Sequence, residues 1–307
     1  MKFIYRPFSL LVALAVVGGC ATKEAAPAQT TFTTPEDAVV ALVDALKAND
    51  SAELSSILGP DGKKILSSGD EVADEQAREV FLTAYKEKAE LNTEGDHTVL
   101  SIGVEEWPVP IPLVKAGSDW RFDTAAGLKE VLFRRIGNNE LSTIQLCKAY
   151  VEAQKEYASK GHDGKAKGIY AQKFSSSTGK HDGLFWQSED LNDQSPLGDL
   201  AAQAANDGYT RSEGTPTPLY GYYFRILTSR GASAPGGAFN YLVNGEMQKG
   251  FAMIAYPAEY KNSGVMTFII DDKGTTYQKD LGTETAKVAA EISVYDPDHS
   301  WEKAESE

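Results

Sequence analysis

The sequence predicts an α+β chain in two units: a small helical domain closed by an antiparallel meander, then a long helix leading into an antiparallel sheet. Helical apolar spacing dominates residues 34–91 and gives way to short alternating runs over 97–122. Helical spacing returns over Thr124–Ser159. Beyond residue 160 the chain is rich in Gly, Ser, Pro and Tyr, with strand-like runs between turn residues. Helices and strands segregated along the chain argue for α+β rather than a wound parallel sheet.

The first element stands outside the fold. Lys2 and Arg6 precede an apolar run over residues 8–17, which ends in Gly18, Gly19 and Cys20. A charged start, an apolar centre and a small-residue exit make a secretory signal, and the run falls short of the roughly 20 residues a spanning helix needs. A cysteine placed after the two glycines resembles the lipobox of bacterial lipoproteins. That resemblance implies cleavage after residue 19 and acylation of Cys20, with a membrane as the first partner. Ala21 after the cysteine, rather than Asp, implies sorting to the outer membrane, facing the periplasm. Residues 20–31 hold no aromatic and no large aliphatic side chain and read as a tether.

The first domain is expected over 32–137. Thr34, Pro35, Glu36 and Asp37 open a helix with an N-cap, a proline at the first position and acids in the first turn. Val39, Leu42, Val43 and Leu46 mark its apolar face. A second helix spans Ser51–Leu58 and stops at Gly59 and Pro60. A third covers 73–91, with Val80, Phe81, Ala84 and Tyr85 facing the core. Strands follow at 97–104, 109–115 and Asp119–Phe122, the order of a small meander that resembles the cone-shaped folds of the nuclear transport factor 2 type.

The second domain is expected over 138–295. Gly137, Asn138 and Asn139 are read as an interruption between two helices, which places the boundary near Asn138. The helix after it carries Leu141, Ile144, Cys147, Val151 and Gln154 on one side. A short helix is expected at 197–206, then strands at 220–229, 250–256 and 265–271. Asp272, Lys273 and Gly274 turn the last into 275–279 as a hairpin. The acidic tail, 296–307, reads as frayed.

Four segments of this half occur in a recognisable order: Gly221 to Leu227, Gly250 to Pro257, Ser263 to Ile270 and Gly274 to Asp280. They resemble a bacterial envelope family catalogued as domain of unknown function 2950, over most of the chain after the tether. That family brings no activity and no catalytic residues. The same block is similar to the globular heads of type IV pilins and pseudopilins, in which a long helix leads into an antiparallel sheet. True pilins begin with a wholly apolar helix; here the helix is internal and amphipathic, and lipid is the expected anchor.

Charge narrows the partners. The chain carries a formal net charge of −14, and loss of residues 1–19 removes Lys2 and Arg6 and leaves the body more acidic still. Phosphate backbones repel such a surface, so nucleic acid is not an expected partner. With Cys20 lipidated, Cys147 is the last thiol, which excludes an intramolecular disulfide and reads as a buried, inert side chain.

Several constellations could carry chemistry. His162 and Asp163 precede Gly164 just as His181 and Asp182 precede Gly183, and imidazole with carboxylate is a ligand set for zinc, although the same triplet is ordinary turn sequence. Ser177 and Lys180 match the S-x-x-K spacing of penicillin-recognising enzymes, without that family's other motifs. Tyr220, Tyr222, Tyr223 and Trp186 concentrate aromatic surface that could stack on a sugar or a peptide, or could simply be core and cross-strand pairs. No cofactor is implied. The expected function is a non-enzymatic binding module that presents a surface to an envelope protein or glycan. The alternatives are a cell-wall hydrolase using Ser177 and Lys180 or the His/Asp pairs, and a small-ligand binder using space between the 35–48 helix and the 97–122 strands.

Overall fold

Residues 29–188, 190, 192–206, 209 and 217–304 are described by a computed structural model; the signal segment, Cys20 and the tether as far as residue 28 lie outside the described residues. The last part of the expected tether already belongs to the fold. Gln29 donates to the carbonyls of Ile57 and Phe122 and accepts from Arg121, while Thr30 N–H donates to Ser56. Short polar side chains gave no apolar signal for this docking, which is made of hydrogen bonds.

Helix α1 (Pro35–Ala48) starts as its sequence dictates: the Thr34 hydroxyl accepts from Asp37 N–H, and Asn49 ends it in the left-handed region at φ 51°. Helix α2 (Ser51–Leu58) is capped by Asp50, and the short α3 (Gly62–Leu66) follows. Helix α4 (Glu71–Glu87) leads into strands β1 (Ala89–Glu94), β2 (His97–Ile102), β3 (Trp107–Pro108), β4 (Leu113–Ala116) and β5 (Asp119–Phe122). They form an antiparallel sheet in the order β1-β2-β4-β5, with β3 also paired to β2. The expected helix to residue 91 therefore ends early. Strand β1 lies at the sheet edge and is largely exposed, so it lacks the apolar alternation that would have marked it. Val80 is 69% exposed, against expectation, because α4 lies over the rim and reaches the core only through half-buried Phe81, Leu82, Ala84 and Tyr85. Val39, Leu42 and Trp120 are buried together in the first core and fill the space between α1 and the sheet.

Helix α5 (Thr124–Ser159) runs unbroken through Gly137, Asn138 and Asn139. A glycine within a helix costs only about 1 kcal/mol relative to alanine, and contacts on both sides offset it. Near its start, a side chain at Gly127 would lie 2.8 Å from the Ile111 backbone, so glycine permits the close approach of helix and loop. Asn139 donates to the Ser263 carbonyl, and Glu140 accepts from Val265 and Met266 N–H. One helix thus serves both halves: Val131 packs on the first core, and Ile144, Cys147, Tyr150 and Val151 lie in the second. Burial pushes the Cys147 thiol up to about 12, consistent with an unreactive side chain.

The second half adds α6 (Gly198–Asn206), β6 (Tyr222–Leu227), four two-residue strands β7 (Ser229–Arg230), β8 (Phe239–Asn240), β9 (Leu242–Val243) and β10 (Glu246–Met247), then β11 (Ala252–Pro257), β12 (Met266–Asp271), β13 (Thr276–Asp280), α7 (Thr285–Glu291) and β14 (Glu302–Lys303). The main sheet has the order β14-β13-β12-β11-β6 and is antiparallel throughout. Helix α5 covers one face, with the Tyr150 hydroxyl donating to Ala252 O. Helix α7 covers the other, where Arg225 donates to the carbonyls of Ala289 and Ile292. The tail is docked rather than frayed as far as Ala304. Strand β14 pairs with β13, and Asp296 accepts from Ser233 and Ala234 N–H. Its charge-rich composition concealed Trp301, which packs on the second core, as does Tyr295 immediately before the tail.

The two halves are locked by hydrogen bonds. Arg135 on α5 donates to the carbonyls of Lys64, Ile65 and Ser67 and to Asn262 Oδ1, which joins three segments at one guanidinium. Asp70, the N-cap of α4, accepts through Oδ2 from Tyr209 Oη at 2.8 Å and Gly221 N–H at 2.9 Å.

Candidate functional site

Ser177 and Lys180 do not form a dyad. They close a turn, Lys180 N–H donating to Ser177 O, and both residues are exposed. The Ser177 hydroxyl instead donates to Asp182 Oδ2 at 3.0 Å and accepts from Lys173 Nζ at 2.9 Å, and Lys173 also reaches Asp182 at 2.7 Å. Lys173 is a donor to both partners, the opposite of what a general base for Ser177 requires. The triangle is a loop clasp.

Its carboxylate makes a pH prediction. Partial burial works to raise the Asp182 pKa, but the bonds from Lys173 and Ser177 outweigh it and hold the group at about 2. A depressed folded pKa stabilises above the ordinary carboxylate value of about 3.9 and loses that contribution as the pH falls through the folded value. Asp182→Asn is expected to lower stability by about 1 kcal/mol near neutral pH, allowing for solvent screening of the pair. In urea unfolding, the gap should persist down to about pH 4 and close toward pH 2. A gap independent of pH would remove the clasp's electrostatic role.

The paired His-Asp-Gly turns come together, but not around a common point. The rings of His162 and His181 lie 6.3 Å apart, edge to face. His162 Nε2 is 3.1 Å from Tyr157 O, whereas His181 Nε2 faces Asp193 Oδ2 at 3.4 Å. His162 stacks on Tyr157 and His181 packs on Trp186, while Asp163 accepts from His181 N–H. Burial lowers the His162 pKa, the Tyr157 carbonyl opposing it. Among the described residues, no group of three or more His, Cys, Asp or Glu side chains is arranged to hold a metal. The repeat pins the C-terminal turn of α5 to residues 181–186.

The expected aromatic surface divides. Tyr222 and Trp186 are buried, with Tyr222 Oη donating to Met266 O and Trp186 Nε1 to Asp193 O. Neither can stack on a ligand, because β6 turns Tyr222 into the α5 face and Trp186 fills the space under the two histidines. Tyr220 sits at the joint in the left-handed region, its ring against Tyr209. Tyr223 alone of the four lines a cleft.

That cleft, about 800 Å³, opens beside edge strand β6. Helix α5 supplies Leu146 and Tyr150; residues 174–187 supply Phe174, Ser175, Phe185 and Gln187. Leu197, Gly198, Leu200, Ala201 and Ala204 form the α6 wall, and Tyr223, Phe224 and Met253 form the sheet side. Tyr209, Thr217 and Leu219 complete it. Among the described residues, no charged side chain belongs to this lining. An apolar concavity with few polar groups is the ordinary form of a binding site, and the described lining residues include no nucleophile–base pair. Its residues come from four distant segments. The local signal was the adjacent pair Tyr223 and Phe224, two aromatic side chains on opposite faces of one edge strand, both of which line the cleft.

The order of these elements can be set beside known proteins. A family profile described as Protein of unknown function (DUF2950) matches residues 29–304. The chain belongs to that family. None of the curated proteins and none of the solved structures matches it. The DUF2950 match starts at Gln29, the first side chain bonded into the fold, and takes in both cores, the joint at Asp70 and Arg135, and the cleft. The unit shared by DUF2950 proteins is thus the two halves together, held by α5.

Proposed function

We propose that this DUF2950 protein is a bacterial cell-envelope lipoprotein, anchored through a lipid on Cys20 in the outer membrane and facing the periplasm, and that it binds a protein partner without catalysis. The cleft between α5, α6 and β6 carries this reading: it is concave and aromatic, and no charged side chain lines it among the described residues. The polar side chains described there besides its tyrosines, Ser175, Gln187 and Thr217, are too few to satisfy the hydroxyls of a glycan. Apolar side chains of a protein segment suit it better. A hydrolase is disfavoured by the engagement of Ser177 with Lys173 and Asp182 and by the separation of the histidines. Among the described residues no helix is long and apolar enough to cross a membrane. The laying of α5 on an antiparallel sheet is the element of the pilin-head similarity that this reading keeps: a head presented on a leash, with lipid in place of the apolar helix.

The test has two arms. Cys20→Ala is expected to abolish incorporation of labelled palmitate into the protein; label still incorporated without this thiol would exclude the anchor at Cys20. A soluble form that begins at Ala21, free of detergent, is expected to bind the neutral dye N-phenyl-1-naphthylamine saturably, with a rise in fluorescence. Adding Ala201→Trp, which fills the cleft from the α6 wall, should weaken that binding about tenfold or more. Dye binding that ignores Ala201→Trp in a folded protein would place the site elsewhere.

A further inference from the structure

The cleft lies along the outer edge of the main sheet, and the backbone of that edge is open where the cleft meets it. Ala258 N–H donates to Gly221 O, so Gly221 faces β11, and the antiparallel alternation turns residues 223, 225 and 227 the same way. Residues 222, 224, 226 and 228 therefore direct their N–H and C=O groups outward. Tyr222 exchanges both of its bonds with Leu219, at 2.9 and 3.1 Å, and Thr228 O accepts from Tyr241 N–H. The edge is thus closed at each end. Between the two ends, Phe224 and Ile226 make no outward backbone bond to any described residue.

Their side chains lie on the α5 face of the sheet. Phe224 lines the cleft, and Ile226 pairs with Met253, which also lines it. In an antiparallel addition, the residues opposite Phe224 and Ile226 would exchange backbone bonds with them and place their own side chains on that same face. One set of partner residues would then satisfy the open edge and fill the cleft. Charge selects among partners. The described lining residues include no charged side chain, so uncharged inserted residues suit it, whereas the body, more acidic than the whole chain's −14, attracts basic flanks.

We infer, building on the cleft reading above, that β6 is a strand-addition site for an extended protein segment with apolar residues at alternate positions and basic flanks. The window suits a short strand of roughly three to five residues.

The probe is the capped peptide acetyl-Lys-Val-Thr-Phe-Thr-Val-Lys-amide, titrated into the soluble form that begins at Ala21 while exchange of individual backbone amides is followed by NMR. In the free protein the Phe224 and Ile226 amides should exchange as unbonded groups, and saturating peptide should slow them about tenfold or more. N-methylation of the peptide's Val and Phe residues keeps the side chains but removes the donors, and should weaken binding at least about tenfold. Ile226→Pro, tolerable on an edge whose N–H faces outward, should do the same. Glutamate in place of the flanking lysines should weaken binding in a salt-dependent way. Amides already protected in the free protein, or equal binding of the N-methylated peptide, would overturn strand addition. Dye bound without peptide overturns strand addition alone; neither bound overturns the cleft reading with it.

Discussion

Asp70→Ala is expected to cost the protein about 3 kcal/mol, from a lost N-cap and a buried donor left without its acceptor. Asp70 is 2% exposed although it carries a carboxylate, and its two oxygens serve different halves of the molecule. Oδ1 accepts from Ala73 N–H and caps α4; Oδ2 accepts from Tyr209 Oη and from Gly221 N–H, 151 positions away in sequence. Burial, reinforced by the bond to Asp70, raises the Tyr209 pKa, so its hydroxyl stays a donor. Alanine removes all three acceptor contacts at once. Asparagine keeps one oxygen for the cap but turns an amide N–H₂ toward two donors, so Asp70→Asn should lie between wild type and Asp70→Ala. Because this carboxylate ties the two cores together, its loss should also split a single urea transition into two. An Asp70→Ala protein that unfolds in one step at the wild-type midpoint would show that Arg135 and the shared helix hold the halves without it.

What the sequence made legible is what short-range chemistry decides. Thr34 and Pro35 opened α1, Gly59 closed α2, and Asp272 to Gly274 turned β12 into β13, since each signal lies within a few residues of the element it sets. Strand β1 was hidden because Ala89 to Glu94 lies at an edge with both faces largely exposed and has no need of alternation. Gly137 to Asn139 looked like a break because the contacts that keep α5 helical there, Arg135 to the end of α3 and Asn139 to Ser263, come from residues 70 to 124 positions away. The site followed the same rule. Its candidates with motif spacing proved to be structural: Ser177 is clasped by Lys173 and Asp182 rather than by Lys180, and His162 and His181 pack on Tyr157 and Trp186. The cleft has no motif at all. It depends on α5, α6 and an edge strand meeting, and only Tyr223 among the sequence candidates reaches it.

Gln154→Leu should be nearly as costly as Asp70→Ala, about 3 kcal/mol, though it leaves no cavity and removes no charge. The side chain is fully buried on the apolar side of α5, where its spacing alone would suggest an aliphatic residue. The amide behaves as a strand would. Its Nε2 donates to Ala171 O at 2.8 Å and its Oε1 accepts from Ala171 N–H at 2.9 Å, so one side chain satisfies both backbone groups of a single loop residue. A second bond from Nε2 reaches Tyr150 Oη, which in turn donates to Ala252 O on the sheet. Helix, loop and sheet are thus joined by one chain of bonds. Leucine matches the volume but strands the Ala171 N–H and C=O in an apolar core, where neither water nor another donor can replace the lost partner. Tyr150→Phe breaks the same chain one link away and should cost only about 1 kcal/mol, since Gln154 would keep both bonds to Ala171. The difference between the two variants, measured by urea unfolding, isolates the pinning of the loop. That loop continues into Phe174 and Ser175, part of the cleft wall, so Gln154→Leu should weaken dye binding even where the protein is fully folded, and Tyr150→Phe should weaken it less. Equal costs for the two variants would mean that Ala171 finds other partners and that the cleft wall does not depend on this amide.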